Sequence, residues 1–369
     1  MIDNSCPKKL MFFLPSLSGG GTERAMLTLA NGFADKGFDV DLVLASASGP
    51  YIKDISKKIQ LIDLDQPRVF ACIPKLVAYL RKERPRYLVS ALYYVNVVAI
   101  IAKLLSRVDC KMVVSERNTV SEMLEYDSAA SRLLMPSLMR MFYPKANVIT
   151  AVSHGVARDL ADLLGIDRNR ITVIYNPVYS EELIELSNAP LKNNWIDELD
   201  APLIVAVGRF SQEKQFAMLI DAFAGLRKNF NARLAILGDG ELRADLERQI
   251  ELLGLQEHVS LPGFIDNPFP WIKRAQLFVL TSRTEGLPGV LIQAMACGTP
   301  VVSTDCASGP REILEDGKWG KLVPVDDHEA LQQAMKDSLL FASHPKVQQR
   351  AADFDVTQSL QGYISVLEL

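Results

Sequence analysis

The segment "LFVLTSRTEGLPGVLIQAMACGTPVVSTD", residues 277–305, decides the fold class. A short apolar run leads into a turn rich in glycine and proline, then an almost wholly apolar helix pattern, then a second short apolar run. Short apolar strands that alternate with helices are typical of parallel sheets covered by helices on both faces. The segment therefore predicts a strand–helix–strand unit of an α/β domain.

The same alternation extends along the chain on both sides of a polar, proline-bearing stretch at 187–202. Seven strand-like runs precede this stretch and five follow it. We expect an α/β fold with two Rossmann-like domains, at 1–182 and 196–344, whose parallel sheets face each other across a cleft. A short helix is predicted within 345–369. The sequence leaves open whether that helix packs back on the first domain.

The bulk composition is that of a folded protein without a membrane span. The chain has 369 residues, of which 23% are charged, so global disorder is excluded. The apolar run from Val95 to Val108 is interrupted by Lys103 and is too short to cross a bilayer. The apolar start of the chain runs straight into a glycine loop, which favours a first buried strand over a signal peptide. Five cysteines without C-x-x-C spacing fit a reduced, cytoplasmic chain.

Neither a metal nor a cofactor is expected from the residue patterns. The four histidines are far apart in sequence, and D-x-D occurs three times, which makes that pattern too common to indicate a site. Charge is divided unevenly: residues 1–180 hold 23 Lys and Arg against 17 Asp and Glu, and residues 181–369 hold 17 against 27. The basic half predicts contact with a membrane surface, a polyphosphate or nucleic acid, unless the split is a chance feature of the surface. The acidic second half argues against nucleic acid.

Three segments follow predicted strands and carry candidate chemistry. "SLSGGGTER" at 16–24 is either a tight turn or a loop that admits an anion to a helix N-terminus, and it lacks the G-x-G-x-x-G dinucleotide fingerprint. "VGRFSQEKQF" at 207–216 contains Arg209 and Lys214, which either neutralise a diphosphate or are ordinary surface cations. The third segment supports the functional interpretation of both loops.

That third segment begins the helix of the opening quotation. Pro288 suits a first helical turn, and the flanking glycines leave amides open to a phosphate. Glu285 would repel an anion there, so we interpret it as a ligand for sugar hydroxyls. Gln293, four residues after Gly289, is expected to be a buried amide that binds either ribose hydroxyls or a loop backbone.

Together, "SGGGTER", "VGRFSQEK", "GDGELR", "SLPGF", "EGLPGVLIQAMACGTPVVSTD" and "GPREIL" resemble the retaining GT-B enzymes of glycosyltransferase family 4. The resemblance covers nearly the whole chain and is greatest to bacterial enzymes that extend lipid-linked glycans or surface polysaccharides. It implies a first domain that binds the acceptor and a second that binds the nucleotide sugar. It also implies sugar transfer with retention of configuration from a nucleoside-diphosphate sugar, with UDP as the expected nucleotide.

The resemblance also assigns residues. It implies Glu285, Arg209 and Lys214 as catalytic, with the two cations on the donor diphosphate and the carboxylate on sugar hydroxyls. Gln293 replaces a glutamate that usually binds ribose. The segment "SERN" replaces one that often contains a histidine, which leaves its residues as candidates for the reacting centre. The implied substrate-binding set is Gly20, Gly21, Thr22, Glu116, Arg117, Asn118, Gly208, Phe264, Gly286, Leu287, Pro288, Gly289, Val290 and Gln293.

The implied partners are a nucleoside-diphosphate sugar and a glycan or polyprenyl-diphosphate-linked acceptor. Two basic and apolar helix patterns, near 75–86 and 132–145, predict contact of the first domain with an anionic membrane surface, although their apolar faces are equally suited to a core. The expected location is cytoplasmic, on the inner face of the cytoplasmic membrane. A GT-B epimerase and a non-catalytic sugar-nucleotide-binding protein remain alternatives.

Overall fold

The computed structural model describes residues 9–191, 195, 201–341 and 343–369. It divides into two compact units, one formed by the chain up to Pro177 together with Val356–Leu369, and the other by Val178–Asp355. The crossing into the second unit is therefore five residues earlier than the expected bound at 182. The chain returns to the first unit at Val356, eleven residues after the expected start of the terminal segment.

The first unit contains a seven-stranded parallel sheet in the order β3-β2-β1-β4-β5-β6-β7. Its central strands are buried and mainly apolar, as is typical of a sheet covered on both faces. The strands are β1 (Leu10–Leu14), β2 (Val40–Leu44), β3 (Ile59–Asp63), β4 (Tyr87–Ala91), β5 (Lys111–Glu116), β6 (Val148–Ala151) and β7 (Ile171–Val173).

Helices connect these strands and cover the sheet. They are α1 (Gly21–Asp35), α2 (Ile73–Glu83), α3 (Tyr93–Ser106), α4 (Val120–Tyr126), α5 (Ala129–Phe142), α6 (His154–Leu164) and, at the end of the chain, α15 (Val356–Leu367). The last helix packs on α1, where Gly32 leaves room for Leu360, and the Tyr363 hydroxyl donates to Ser115 Oγ over 3.1 Å. Helix α15 is thus part of the first core.

The second unit contains a six-stranded parallel sheet in the order β10-β9-β8-β11-β12-β13. Its strands are β8 (Leu203–Val207), β9 (Arg233–Leu237), β10 (Val259–Gly263), β11 (Leu277–Leu280), β12 (Val301–Thr304) and β13 (Lys321–Val323). Its helices are α7 (Glu181–Ser187), α8 (Phe216–Arg227), α9 (Arg243–Leu252), α10 (Phe269–Arg274), α11 (Gly289–Ala296), α12 (Pro310–Ile313), α13 (His328–Leu340) and α14 (Gln348–Ala351).

Two parallel sheets with helices confirm the fold class expected from the sequence. Strand β13 and helices α4, α7, α12 and α13 were not expected. Strand β13 has only three residues, one of them exposed, so it lacks the apolar run that marks the other strands. Among the described residues, no helix combines the length and the apolar character that a bilayer crossing requires.

Candidate functional site

The second sheet brings two predicted residues to one edge. Strands β8 and β11 are neighbours although two strands separate them in sequence, so the order of the sheet reverses between them. Ligands of open α/β sheets bind at the carboxyl ends of strands at such a reversal. Lys214 lies in the segment after β8, and Glu285 lies in the segment after β11.

These two residues form an ion pair. Lys214 Nζ lies 2.6 Å from Glu285 Oε1, and both side chains are mostly buried, with exposures of 22% and 11%. Burial alone lowers the pKa of Lys214, but the Glu285 carboxylate more than compensates, so this pKa lies above its ordinary value. Lys214 therefore stays charged. The placement of Lys214 beside Arg209 on a diphosphate stays a prediction; in the structure its ammonium contacts Glu285.

A set of buried hydroxyls holds the ion pair in place. Ser282 Oγ donates to the same Glu285 Oε1 over 2.7 Å, and Thr304 Oγ1 donates to the Ser282 carbonyl over 2.6 Å. On the other side, Thr281 Oγ1 donates to the Lys214 carbonyl over 2.7 Å. Carboxylate and ammonium are thus fixed by groups at the ends of β11 and β12.

The turn after Glu285 is tightly packed. Gly286, Leu287 and Pro288 are buried, whereas Gly289 and Val290 at the start of α11 are half-buried. Pro288 occupies the N-cap position of α11 and offers no side-chain cap to its first amides. These amides carry the positive end of the helix dipole.

Gly309 packs closely against this turn. Its φ is +95°, and a Cβ at this position would lie 2.5 Å from Pro288 Cδ and 3.1 Å from the Gly286 carbonyl oxygen. Only a residue without a side chain fits both conditions. Ser308 Oγ also donates to the Gly286 carbonyl over 2.9 Å.

Gln293 is half-buried on α11, one turn after Gly289, and not fully buried as its apolar neighbours suggested. Helix α11 is short, and its polar position faces the more open side of the helix. Leaving its amide unpaired therefore costs less free energy than it would at a fully buried position.

Arg209 and Phe264 lie on exposed segments. Arg209 is exposed directly after Gly208, and Phe264 is 52% exposed directly after Gly263. The loop at Gly208 is held by backbone contacts, since Gly238 has a φ of +142° and has no space for a Cβ against the Gly208 carbonyl. The "GDG" motif thus shapes the loop that carries Arg209.

The glycine loop after β1 is shaped in part by packing within the loop itself. A Cβ on Gly20 would collide with the Glu23 carboxylate, which folds back over the start of α1. Gly21 has open space around the Cβ position and is exposed, and Thr22 is half-buried beside it. The ligand-binding role expected for both glycines stays a prediction; the Glu23 side chain lies against Gly20, and the space beside Gly21 is open.

The three candidates at the end of β5 are placed differently from one another. Glu116 is 1% exposed and faces Tyr143 and Asn96 inside the unit, so it does not lie on the open edge. Arg117 is 3% exposed, and none of its guanidinium nitrogens has a hydrogen-bond partner among the described residues. Asn118 is half-buried.

The two basic helices of the first unit also differ. On α2 the apolar residues Leu76, Val77 and Leu80 are buried, so its apolar face belongs to the core and is not open to a membrane. On α5 the side chains of Leu133, Leu134 and Met141 are 76%, 57% and 63% exposed. Of these two helices, α5 is the one whose apolar side chains remain exposed.

The described residues contain no group of three or more His, Cys, Asp and Glu side chains arranged to hold a metal ion. The chemistry available in the second unit is that of a mostly buried ammonium, a carboxylate, an exposed guanidinium and an uncapped helix N-terminus. Cations and amides stabilise negative charge, and the carboxylate accepts hydrogen bonds from hydroxyls.

Two family models match the two halves of the chain. The model described as Glycosyltransferase Family 4 matches residues 19–182, and the model described as Glycosyl transferases group 1 matches residues 201–340. The chain belongs to glycosyltransferase family 4. It is a GT-B glycosyltransferase, as its sequence motifs indicated.

Characterised relatives and a solved structure agree with this family. The chain is 31% identical over 365 residues to N-acetylgalactosamine-N,N'-diacetylbacillosaminyl-diphospho-undecaprenol 4-alpha-N-acetylgalactosaminyltransferase of Campylobacter jejuni, covering 94% of this chain and 96% of the relative. A second Campylobacter alpha-1,4-N-acetyl-D-galactosaminyltransferase is 24% identical, over 97% of this chain and 98% of its own. The HepE structure of Anabaena in complex with UDP-glucose superposes with a TM-score of 0.79 at 22% identity, over 98% of this chain and all of the other.

Sequence reasoning did not identify the residues that hold the site together. Ser282, Thr304 and Gly309 all lie in or near the opening segment, and each has a signal that was available. The serine and threonine are polar residues in or directly beside apolar strands, and the glycine immediately precedes a proline. Buried polar residues at strand ends are a mark of a positioned site.

Proposed function

We propose that this glycosyltransferase moves a sugar from a UDP-sugar to a lipid-linked glycan, with retention of anomeric configuration and without a metal ion. The observation that carries the proposal is the Lys214–Glu285 ion pair at the reversal of the second sheet. It combines a fixed positive charge for a diphosphate with a carboxylate for sugar hydroxyls in one place.

The donor assignment rests on chemistry and on relatives. Arg209, Lys214 and the start of α11 offer positive charge to a diphosphate, and Gln293 is free to approach ribose from a half-open position. The HepE structure holds UDP-glucose, which supports UDP as the nucleotide. Two relatives named as N-acetylgalactosaminyltransferases support a hexose or N-acetylhexosamine as the sugar.

The reaction exchanges one bond at the anomeric carbon. The bond between that carbon and the diphosphate oxygen breaks, and the electron pair leaves with UDP. An acceptor hydroxyl attacks from the same face and forms the new glycosidic bond, and its proton passes to the departing diphosphate. Retention follows from attack on the leaving-group face. Glu285 accepts hydrogen bonds from the donor-sugar hydroxyls and keeps the sugar in position during the reaction.

Charge on the leaving group is balanced by protein groups in this proposal. The diphosphate gains negative charge as it departs, and preorganised cations and amides stabilise such charge most effectively in a partly buried site. Arg209 supplies a planar fork of donors and Lys214 a point charge. These groups perform the role that a divalent cation performs in metal-dependent transferases.

We assign the acceptor to the first unit. Gly21 and Thr22 at the start of α1, and Arg117 and Asn118 after β5, lie at carboxyl ends of strands in its sheet. Both Campylobacter relatives have polyprenyl-diphosphate acceptors in their names, which supports a lipid-linked glycan here. The protein would then act at the inner face of the cytoplasmic membrane, held peripherally by an anionic surface.

Helix α5 is the surface that would contact this membrane. Its exposed Leu133, Leu134 and Met141 are accompanied by exposed Arg132 and Arg140. Apolar side chains flanked by cations suit the interface of an anionic bilayer.

Two experiments test the proposal against its rivals. Thermal shifts with UDP-, GDP-, ADP- and dTDP-sugars identify the donor, because a ligand that binds only the folded state raises the melting temperature. Radiolabelled donor is then incubated with and without a lipid extract. Label in the lipid fraction supports transfer, a changed sugar without lipid indicates an epimerase, and binding without turnover indicates a sensor.

A further inference from the structure

A closed hydrogen-bond network surrounds Glu116 inside the first unit. Glu116 Oε1 accepts from the Tyr143 hydroxyl and, over 2.9 Å, from Asn96 Nδ2. The same Asn96 amide donates to the Ser115 carbonyl over 3.0 Å, and its oxygen accepts from Ser90 Oγ over 2.7 Å. The network therefore ties the end of β5 to β4, to α3 and to the turn after α5.

Several titratable groups face this carboxyl from the surrounding elements. They are the hydroxyls of Tyr143 and Tyr93, the Asp159 carboxylate of α6, and the guanidinium of Arg117. Burial raises the pKa of Glu116 to about 8, and the hydrogen bonds from Tyr143 and Asn96 and the charge of Arg117 offset burial only in part. Glu116 is thus mainly uncharged at neutral pH.

The next two residues are the first-unit candidates for acceptor binding. Arg117 and Asn118 follow Glu116 directly, so the path of this segment is set by how the Glu116 side chain is held. The neighbouring chain after β4 is also constrained. Leu92 there donates its amide to the Ser115 carbonyl over 3.3 Å and has a φ of +80°. A leucine keeps such a conformation only when its surroundings enforce it.

We propose that Glu116 is a positioning residue whose uncharged carboxyl locks the end of β5 against Asn96 and Tyr143, fixes Arg117 and Asn118 for the acceptor, and switches turnover off when it ionises. The proposal rests on the proposed transferase function for its activity readout. A carboxylate in this enclosure would be a buried charge without a matched cation in hydrogen-bond contact, which the enclosure disfavours. Ionisation therefore loosens the segment that follows.

The test compares pH profiles of turnover. In the parent protein, turnover falls above pH about 8, approaching tenfold per pH unit as one proton is lost. Glu116→Gln keeps the accepting oxygen but cannot ionise, so it retains turnover within a few-fold of the parent near neutrality and lacks this decline. Tyr143→Phe removes a donor that favours the ionised form, so its decline moves to higher pH.

Asp41→Asn is the matched control. Asp41 is another fully buried carboxyl of the first sheet, bonded to Tyr79 over 2.8 Å and paired with Lys9 over 3.2 Å, and burial raises its pKa as well. It lies on β2, away from the segment after β5, so its variant keeps the parent's alkaline decline. In the parent, Tyr143→Phe and Asp41→Asn the KM for the acceptor is expected to rise as turnover declines, whereas in Glu116→Gln it stays level. UDP affinity stays constant in all four proteins.

A second readout does not depend on turnover. A carboxyl whose pKa is raised in the folded state stabilises the fold at low pH, and this contribution is lost as the pH rises through about 8. The melting temperature of the parent should therefore fall between pH 6 and 9 by more than that of Glu116→Gln. If the parent transfers no sugar at any pH, the transferase proposal fails, and this difference in melting slope still decides the state of Glu116. An alkaline decline in Glu116→Gln equal to that of the parent, or equal melting slopes, overturns the inference.

Discussion

The Lys214 ammonium lies 2.6 Å from Glu285 Oε1 and joins two segments that are 71 residues apart in sequence. Because Ser282 donates to the same carboxylate oxygen, that oxygen is held from two directions. Glu285 therefore neutralises the cation that we assign to the donor diphosphate. An incoming diphosphate must share Lys214 with Glu285, so the carboxylate weakens nucleotide binding while it binds the sugar.

Glu285→Gln should consequently bind free UDP more tightly than the parent does. The amide keeps the size of the side chain but no longer neutralises Lys214, and a partly exposed ion pair of this kind is worth about 1 kcal/mol, or about fivefold in affinity. Calorimetry with UDP measures the change. Glu213→Gln is the control, because its carboxylate accepts from Ser211 Oγ and acts on the Lys214 ammonium only through its charge, so this variant should change UDP affinity less than Glu285→Gln does. Weaker UDP binding by Glu285→Gln would contradict the shared-cation account.

Gln293→Ala should weaken both UDP and the UDP-sugar by about 1–3 kcal/mol if the amide bonds ribose in the complex. Gln293→Glu should be milder, since a carboxylate accepts from both ribose hydroxyls. The half-buried position predicts little change in melting temperature for either variant. A variant that binds UDP like the parent but melts much lower would show that the amide is structural.

Gly309→Ala should lower stability and also weaken UDP binding, because a Cβ there would displace Pro288 and the turn before α11. Gly317→Ala is a matched control with the same φ of +95°, where the nearest atom to a Cβ is 3.6 Å away. Both variants place an alanine at a positive φ, which residues with a side chain rarely adopt. Denaturant melts and calorimetry should therefore show an excess loss, and a binding defect, for Gly309→Ala alone. Equal behaviour of the two variants would remove the turn from the nucleotide site.

The sequence was sufficient for the fold because strands such as 277–280 and 203–207 are continuous apolar runs. The sequence was insufficient where the role of a residue depends on contacts with residues far away along the chain. The pairing of Lys214 with Glu285 requires β8 and β11 to be neighbours, and spacing along the chain does not encode that. In the same way, nothing local to Glu116 indicates that Tyr143 and Asn96 enclose it. The apolar residues of α2 and α5 look alike in sequence, and only packing shows that those of α2 are core.

Replacing Leu133 and Leu134 together by serine should release the protein from anionic liposomes. Each exposed leucine would contribute about 1.5–3 kcal/mol on burial in a bilayer, so the double variant should lose more than tenfold in partitioning. Sedimentation with anionic and with neutral vesicles measures the partitioning, and high salt should weaken binding of the parent to the anionic vesicles. Leu252→Ser is the control, since Leu252 is 80% exposed in the second unit. Unchanged sedimentation of the double variant, or equal binding to neutral vesicles by the parent, would refute the assignment.

Transfer of radiolabelled sugar from the UDP-sugar to a purified polyprenyl-diphosphate glycan, measured in EDTA with the parent and with Glu285→Gln, tests the central claim most directly. The account predicts lipid-bound label and stoichiometric UDP with the parent in EDTA. It also predicts a loss of at least about 100-fold with Glu285→Gln, the size expected when a group that acts on the transition state is removed. No lipid-bound label with the parent, turnover that EDTA abolishes and magnesium or manganese restores, or near-parent turnover of Glu285→Gln would contradict it.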